Sequence, residues 1–166
     1  PAGRVGTCFG PPAALWARRY APPELPRRVA AAARAAAERV CAAGDVLLQP
    51  FADEVPGVGE LSFIFINGCP SHAALKRAAP GEFRVQTEHG GSVAPINADP
   101  ALFEQAGRAL AVLDEVPLYA RVDGVVIAGR FVLMELELIE PNLFLALEPE
   151  GPSQLAAAIV RRLEAV

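Results

Sequence analysis

The chain has 166 residues, a net charge of −4 and 52% hydrophobic residues, which fits one folded core and excludes a disordered chain. The acidic balance argues against a nucleic-acid-binding protein, and no apolar run reaches the ~18 residues that span a bilayer. Cys8, Cys41 and Cys69 are odd in number and form no CxxC pair. We therefore expect buried or incidental thiols in a cytoplasmic protein, rather than a disulfide framework or a zinc site.

The first third of the chain predicts an irregular segment, a helix and a short strand. Residues 1–24 are rich in Pro, Gly and Arg and show no stable period. The alanine-rich run from Leu25 to Ala43 predicts a helix, with Pro26 in its first turn and Gly44 just past its end. Residues 45–51, DVLLQPF, predict a buried strand that breaks at Pro50.

The middle of the chain predicts a hairpin, a loop and a second helix. The apolar run LSFIFING and the following CPSHAALKR flank Asn67-Gly68, a strong hairpin signal. Residues 87–98 are predicted to form a loop around Gly90-Gly91. Asp99 to Leu113 predicts a helix, with Asp99 as N-cap and Pro100 at the first helical position.

The last third predicts two strands and a closing helix. The run LYARVDGVVIAGRFVLMELELIE reads as a strand pair with a turn near Ala128-Gly129, and Leu155 to Leu163 as a helix. Strand pairs joined by tight turns, with helices between them, predict an α+β fold built on an antiparallel sheet.

Acidic residues recur along the last strand pair. Asp123 lies on one strand, and Glu135 and Glu137 share one face of the next, because side chains alternate with a period of two. Pairing of these strands would bring the three carboxylates together, where a cation such as Mg²⁺ would relieve their repulsion. The alternative is an ordinary amphipathic hairpin with its charged side in water.

Two further stretches carry polar groups. Lys76-Arg77, the segment Gly81 to Gln86 and the pair Gly90-Gly91 could close over an anion, or could form a solvated basic loop. The strand end Gln49-Pro50-Phe51, followed by Glu54 and Glu60, could meet an adenine and a ribose, although a proline that simply ends a strand is commoner. His72 and His89 are isolated and are predicted to be surface or satisfied histidines.

In this order the three stretches resemble the second half of the ATP-grasp superfamily of ligases. The segment ALKRAAPGEFRVQTEHGG (74–91) resembles the phosphate-side segment of the branch that contains the ribosomal-protein glutamate ligase and the bacterial glutathione synthetases. The segment RVDGVVIAGRFVLMELELIEP (121–141) is similar to the metal-binding hairpin of that branch, and VLLQPF to its hinge strand. The variant ELELIEP followed by NLFL resembles a smaller subgroup that includes the cycloserine ring-closing ligase.

The resemblance implies a role for individual residues. Gln49, Pro50 and Phe51 would line the adenine pocket, and Glu60 would bind ribose, with Glu54 as the competing candidate. Lys76 and Arg84 would face phosphates, with Gln86 beside them. Arg121 would steady the transferred phosphoryl group, while Asp123, Glu135 and Glu137 would hold two Mg²⁺ ions, for which Mn²⁺ could substitute. Glu137 stands where much of the superfamily has Asn.

The resemblance also implies an activity and a domain arrangement. The expected function is ATP-dependent ligation of a small carboxylate to an amine through an acyl phosphate, with no nucleic-acid or membrane partner. The alternative is a truncated module that binds nucleotide without turnover. Residues 25–166 would form the C-terminal ATP-grasp domain and residues 1–24 a remnant of the preceding lobe, with the N-terminal domain missing. Substrate identity and oligomeric state are not encoded in these motifs.

Overall fold

The computed structural model describes residues 34–39, 41–44 and 52–164. The chain divides into two compact units, Pro1–Phe51 and Ala52–Val166. In the first unit residues 34–39 are helical, as the alanine-rich run predicts. The irregular segment 1–24 and the strand 45–51, with the predicted adenine-binding residues Gln49, Pro50 and Phe51, lie outside the described residues.

The second unit is built on one antiparallel sheet of five strands. The strands are β1 (Glu60–Ile66), β2 (Cys69–Arg77), β3 (Ser92–Ile96), β4 (Tyr119–Ile127) and β5 (Arg130–Glu137). Their order across the sheet is β3-β2-β1-β4-β5, so β1 lies at the centre between β2 and β4. With helices beside this sheet, the predicted α+β class is confirmed.

Both predicted hairpins form at the expected turns. Asn67 and Gly68 connect β1 to β2, and Ala128 and Gly129 connect β4 to β5. All four residues have positive φ, between 50° and 75°, as a two-residue type I′ turn requires. The turn residues therefore fix which strands become neighbours.

The prediction of a loop over residues 87–98 is wrong in its second half. Thr87–His89 is a short 3-10 turn, but Ser92–Ile96 forms β3 at the edge of the sheet. This strand contains Pro95, which lacks a backbone N–H and is tolerated on edge strands. Pairing with β2, rather than hydrophobic alternation of its own, makes the segment a strand.

Three helices accompany the sheet. Helix α1 (Glu54–Gly57) is a single turn, α2 (Pro100–Gly107) continues into a 3-10 turn at Arg108–Val112, and α3 (Gly151–Glu164) closes the described chain. The Asp99 side chain accepts a hydrogen bond from the Ala101 N–H, which confirms the predicted cap. Helix α3 begins four residues before the predicted start at Leu155.

The two faces of the sheet bury different clusters. On one face, α2 packs through Ala106 and Phe103, and the Phe63 ring meets the Phe103 ring edge-on at 4.8 Å. On the other face, Ile64 and Ile66 pack against Ala158 of α3. The second face also carries a row of charged side chains, which forms the candidate site.

Two predictions from composition can be compared with this fold. Within residues 34–39, 41–44 and 52–164, no helix is long and apolar enough to cross a membrane. Cys41 and Cys69 are free thiols and both are exposed, so of the two expected kinds they are incidental rather than buried.

Candidate active site

Strand register places the predicted charged residues on one face of the sheet. Lys76 of β2 lies opposite Glu60 of β1. On β4, Arg121 lies opposite Glu137 of β5 and Asp123 lies opposite Glu135. Because side chains alternate along each strand, these residues share the face away from α2.

The acidic trio converges as the period-two pattern predicts. One carboxylate oxygen each from Asp123, Glu135 and Glu137 lies within 4.8 Å of the other two, and within the described residues this is the one such group. Asp123 is fully buried, Glu137 is half-buried and Glu135 is exposed. The trio therefore combines a fixed carboxylate at the sheet with two that reach towards solvent.

A bulge in the hairpin shapes this site. Asp123 pairs with Glu135, but the next residue, Gly124, pairs with Leu133, so Met134 has no opposite partner. A Cβ added to Gly124 would lie 2.3 Å from the carbonyl oxygen of Val132, closer than atoms can approach. Glycine is thus required where the two strands change register beside Asp123.

Two cationic side chains, those of Arg121 and Lys76, form ion pairs with the carboxylates. Arg121 Nε donates to both oxygens of Asp123, at 3.1 and 3.0 Å, and the same guanidinium contacts Glu137. Lys76 Nζ lies 2.9 Å from Asp123 Oδ2 and 2.5 Å from Glu60 Oε1. The buried Asp123 carboxylate is therefore held from both sides, by its own strand and across β1 from β2.

The charges of this group do not balance. Four carboxylates face two cations, which leaves an excess of two negative charges when every group is ionised. Although the Glu135 side chain is exposed overall, partial desolvation of its carboxyl raises the pKa above its ordinary value. The negative charges of Glu137 and Asp123 raise this pKa further, against the opposing charge of Arg121. An added divalent cation would neutralise this excess.

The position of Arg121 is fixed by several partners. Its Nη1 donates to the Asn142 carbonyl oxygen at 3.2 Å, and its guanidinium lies 5.6 Å from the centre of the Phe144 ring. Burial alone would lower the pKa of Arg121, but the hydrogen bond to Asp123 and the surrounding carboxylates outweigh it and raise the pKa. Arg121 therefore stays charged and oriented in the site.

Of the second predicted group, the structure brings Lys76 into this cluster but not Arg84. Arg84 is exposed and pairs with Glu82, whose Oε2 lies 2.5 Å from Arg84 Nη2. The hydrogen bonds from Arg84 lower the pKa of Glu82 to about 2. No hydrogen bond or ion pair within residues 52–164 links Arg84 to Lys76 or Asp123.

The structure places Gln86 just before a 3-10 turn and Glu54 in a single-turn helix. The Gln86 carbonyl accepts from the N–H groups of His89 and Gly91, which shapes the predicted glycine loop. Glu54 begins α1 and is half-buried, and its carbonyl accepts from Val58 and Gly59. The predictions for both side chains rest on the family resemblance.

The sequence reasoning missed three residues at this face. Asn142 and Phe144 contact Arg121 from the segment after β5, and only the fold brings them there. Ser62 was also missed, although a polar residue inside the apolar run LSFIFI was a visible signal. It lies opposite Asp123 on the central strand and is fully buried.

The donor set fits a hard divalent cation. Asp123, Glu135 and Glu137 offer carboxylate oxygens, which Mg²⁺ prefers, and no thiol or imidazole joins them in the described cluster. The excess negative charge also matches one such ion. Asp123, Glu135 and Glu137 are therefore the residues that would hold it.

Comparison with known proteins gives two informative likenesses. No family model matches the chain. The cycloserine biosynthesis protein DcsG of Streptomyces lavendulae is 31% identical over 141 residues, which are 80% of this chain and 47% of that protein. The chain therefore spans about half the length of the curated relative that it matches.

One solved structure supports the same likeness. The crystal structure of D-cycloserine synthetase DcsG superposes with a TM-score of 0.60 at 31% identity, over 69% of this chain and 41% of that one. D-alanine–D-alanine ligase from Bacillus anthracis complexed with ATP gives a TM-score of 0.44 at 21% identity, over 62% and 37%.

Three kinds of observation now agree. The sequence carries, in order, three segments that resemble those of ATP-grasp ligases: VLLQPF, the KR…GEFR…GG segment and the acidic hairpin. The antiparallel sheet brings the acidic residues of the hairpin together. The sequence likeness and the fold likeness both lead to cycloserine synthetase. The chain belongs to the ATP-grasp superfamily of ligases, in the subgroup that contains D-cycloserine synthetase.

Proposed function

We propose that this chain is the nucleotide- and magnesium-binding part of a ligase that joins a small amino-acid or peptide carboxylate to an amine through an acyl phosphate. The observation that carries the proposal is the convergence of Asp123, Glu135 and Glu137 with Arg121 and Lys76 on one face of the sheet. Charges of both signs, fixed by buried contacts, are what phosphoryl transfer requires.

The proposed first step transfers the γ-phosphoryl group. A carboxylate oxygen of the substrate attacks the γ-phosphorus, the bond to the bridging oxygen breaks, and ADP leaves. Asp123, Glu135 and Glu137 would hold Mg²⁺, which would supply charge neutralisation at the phosphates. Arg121, held by Asp123 and Glu137, would orient the phosphoryl group, while Lys76 and Arg84 would bind phosphate oxygens.

The proposed second step forms the new bond. The amine attacks the acyl carbon, inorganic phosphate leaves, and the amine nitrogen loses a proton. The loop around Gly90-Gly91, with Gln86 at its start, would close to exclude water from the acyl phosphate. Closure of this loop is compatible with the exposure of Gln86 and Gly90.

The nucleoside contacts are proposed separately for adenine and for ribose. Gln49, Pro50 and Phe51 remain proposed for adenine on the family resemblance. For ribose Glu60 remains proposed, with Glu54 as the competing candidate, and the Glu60 carboxylate would become available when Lys76, which lies 2.5 Å away, moves to a phosphate. The side chain of Glu54 has no ion pair among residues 52–164.

Calorimetry with Mg-ATP tests the proposal. Glu135→Gln keeps the shape of the acidic trio but removes one negative charge, so we expect about tenfold weaker binding or more. Glu104→Gln is the control, since Glu104 is exposed on α2, which packs against the opposite face. Equal binding by the wild type and Glu135→Gln would refute the metal assignment.

A second candidate function is nucleotide binding without turnover. The observation that favours it is that the two cationic side chains expected at the phosphates are already paired with acidic ones, Lys76 with Glu60 and Asp123, and Arg84 with Glu82. Release of ADP from Mg-ATP, measured with candidate amino acids, separates the two. ADP release that depends on both an amino acid and Glu135 supports the ligase, whereas tight Mg-ATP binding without release supports the binding module.

A further inference from the structure

Ser62 is an unexplained polar residue in the centre of the sheet. It is fully buried, and its Oγ has no hydrogen-bond partner. Among the side chains that the structure describes, this is the one buried polar atom left without a partner. A buried hydroxyl that makes no hydrogen bond weakens the fold, so its presence suggests a use in another state of the protein.

The register places Ser62 inside the charged cluster. Ser62 lies opposite Asp123 on one side of β1 and opposite Ala74 on the other. Its side chain therefore shares a face with Asp123 and with Lys76, which is two residues beyond Ala74. Directly opposed residues have Cβ atoms about 4.5–5.5 Å apart, so a rotation about χ1 can bring the serine hydroxyl towards the carboxylate.

The ion pair of Lys76 explains why Ser62 is covered. Lys76 belongs to β2 and Asp123 to β4, and β1 lies between these strands. Because Lys76 Nζ reaches Asp123 Oδ2 at 2.9 Å, the lysine side chain must cross β1 beside Ser62. Only a small residue fits beneath this bridge, and alanine would satisfy that need without a buried hydroxyl.

We propose that Ser62 is a positioning residue, which donates a hydrogen bond to Asp123 once Lys76 leaves that carboxylate for a nucleotide phosphate. The inference rests on the function proposed above. When Lys76 departs, Asp123 loses one donor while remaining buried. The hydroxyl of Ser62, which lies directly opposite on the adjacent strand and has no other partner, can replace that donor. The carboxylate then keeps the orientation in which it receives the divalent cation.

Binding of Mn²⁺, followed by electron paramagnetic resonance with and without ATP, tests this role. Ser62→Ala removes only the hydroxyl, and we expect about tenfold weaker Mn²⁺ binding in the presence of ATP. With Mn²⁺ alone the loss is smaller, because Lys76 is not drawn to a phosphate. The control is Ser92→Ala, the same change at an exposed position of β3.

Two further measurements separate positioning from packing. The melting temperature of metal-free Ser62→Ala should equal or exceed that of the wild type, because an unpaired buried hydroxyl is removed. Ser62→Cys keeps a side chain of similar size with a weak donor, and it should bind Mn²⁺-ATP as poorly as Ser62→Ala. A purely structural serine would instead give a lower melting temperature and unchanged Mn²⁺ affinity.

The outcomes are distinct. Weak Mn²⁺-ATP binding by both Ser62 variants, with an undiminished melting temperature for Ser62→Ala, supports the proposal. Wild-type affinity in Ser62→Ala, or recovery of affinity in Ser62→Cys, overturns it and leaves the ligase function standing. Failure of the wild type itself to bind Mn²⁺ with ATP overturns the proposed function and this inference with it.

Discussion

At the scale of single residues, Asp123 is the fully buried carboxylate that connects the two cationic side chains of the site. Its carboxylate is fully buried and accepts hydrogen bonds from Arg121 and Lys76, each of which is 8% exposed. Burial of ions is unfavourable unless each is paired, so the three groups depend on one another. Removing the charge of Asp123 would therefore leave two buried cations without their shared partner and should lower the stability of the folded chain.

Replacing Asp123 with asparagine should destabilise the chain. The amide cannot neutralise the two cations, and loss of one partner from a buried ion pair costs about 3–5 kcal/mol. Urea denaturation of the metal-free protein measures the difference. Asp114→Asn, at an exposed position, should change stability little, and an equally small effect at Asp123 would contradict the buried ion-pair description.

The raised pKa of Glu135 should make the free energy of unfolding depend on pH. Its pKa is raised by partial desolvation of the carboxyl and by its acidic neighbours, so the folded chain binds the carboxyl proton more tightly than the unfolded chain does. The protonated carboxyl therefore favours folding below the ordinary pKa of 4.5, and this contribution is lost as pH rises through the raised value. Glutamine at this position removes the titration.

With a chelator present, Glu135→Gln should melt at a higher temperature than the wild type at pH 7. The difference should shrink as the pH falls and disappear below about 4.5, where the wild-type carboxyl is also neutral. Melting curves of the two proteins between pH 4 and pH 8 check this. A constant difference across that range would show that charge on Glu135 is not its cause.

At the scale of elements, the sequence predicts where strands form more reliably than which strands lie next to one another in the sheet. Asn67-Gly68 and Ala128-Gly129 locate both hairpins, and the hairpin register brings Asp123 to Glu135 through periodicity alone. The contact of Lys76 with Asp123 is different, because it depends on β2 and β4 flanking β1. That order is decided by the packing of the whole sheet and leaves no local signal.

Edge strand β3 shows the same limit. Residues 92–96 lack hydrophobic alternation and include Pro95, so their own sequence favours a loop. They become a strand because β2 offers an unpaired edge, with Ser92 opposite Arg77 and Ile96 opposite Ala73. The helix predicted from Asp99 to Leu113 has the right start, but its last part tightens into a 3-10 turn.

The bulge in the β4–β5 hairpin requires glycine at position 124, and this requirement can be tested by substitution. In Gly124→Ala the new methyl group would collide with the Val132 carbonyl and the Phe131 ring, so the strands must separate beside Asp123. We expect a loss of about 1–3 kcal/mol of stability and weaker Mg-ATP binding. Urea denaturation and calorimetry measure the two effects.

Gly129→Ala is the matched control in the same hairpin. Gly129 has a φ of +75° and open space around it, so alanine there suffers backbone strain of about 1–2 kcal/mol without a collision. Its stability should fall while Mg-ATP affinity is retained. Equal effects of the two variants on binding would show that the bulge has no special influence on the site.

At the scale of the whole molecule, ligand binding should raise thermal stability. If Mg-ATP binds only the folded chain, a concentration of 100 times Kd adds about 2.7 kcal/mol to the free energy of unfolding. For a chain of 166 residues this corresponds to a rise of roughly 5–10 °C in the melting temperature. Differential scanning fluorimetry with ATP, with and without a chelator, measures the shift.

The same rise with ATP and chelator would indicate that the metal adds nothing to binding. A rise that requires both components agrees with the acidic trio as the metal site. Glu104→Gln should follow the wild type in this assay, while Glu135→Gln should show a smaller rise at the same concentrations.

The bridge formed by Lys76 has a consequence for the order of binding events. The ammonium group of Lys76 lies between Glu60 and Asp123. A phosphate that draws it away leaves the Asp123 carboxylate without this cationic partner, at the position where a metal ion would be held. Nucleotide and metal would then each increase the affinity of the chain for the other by the same factor, as thermodynamic linkage requires. In the proposed ligase, the lysine would make the two ligands positively cooperative without any movement of the sheet.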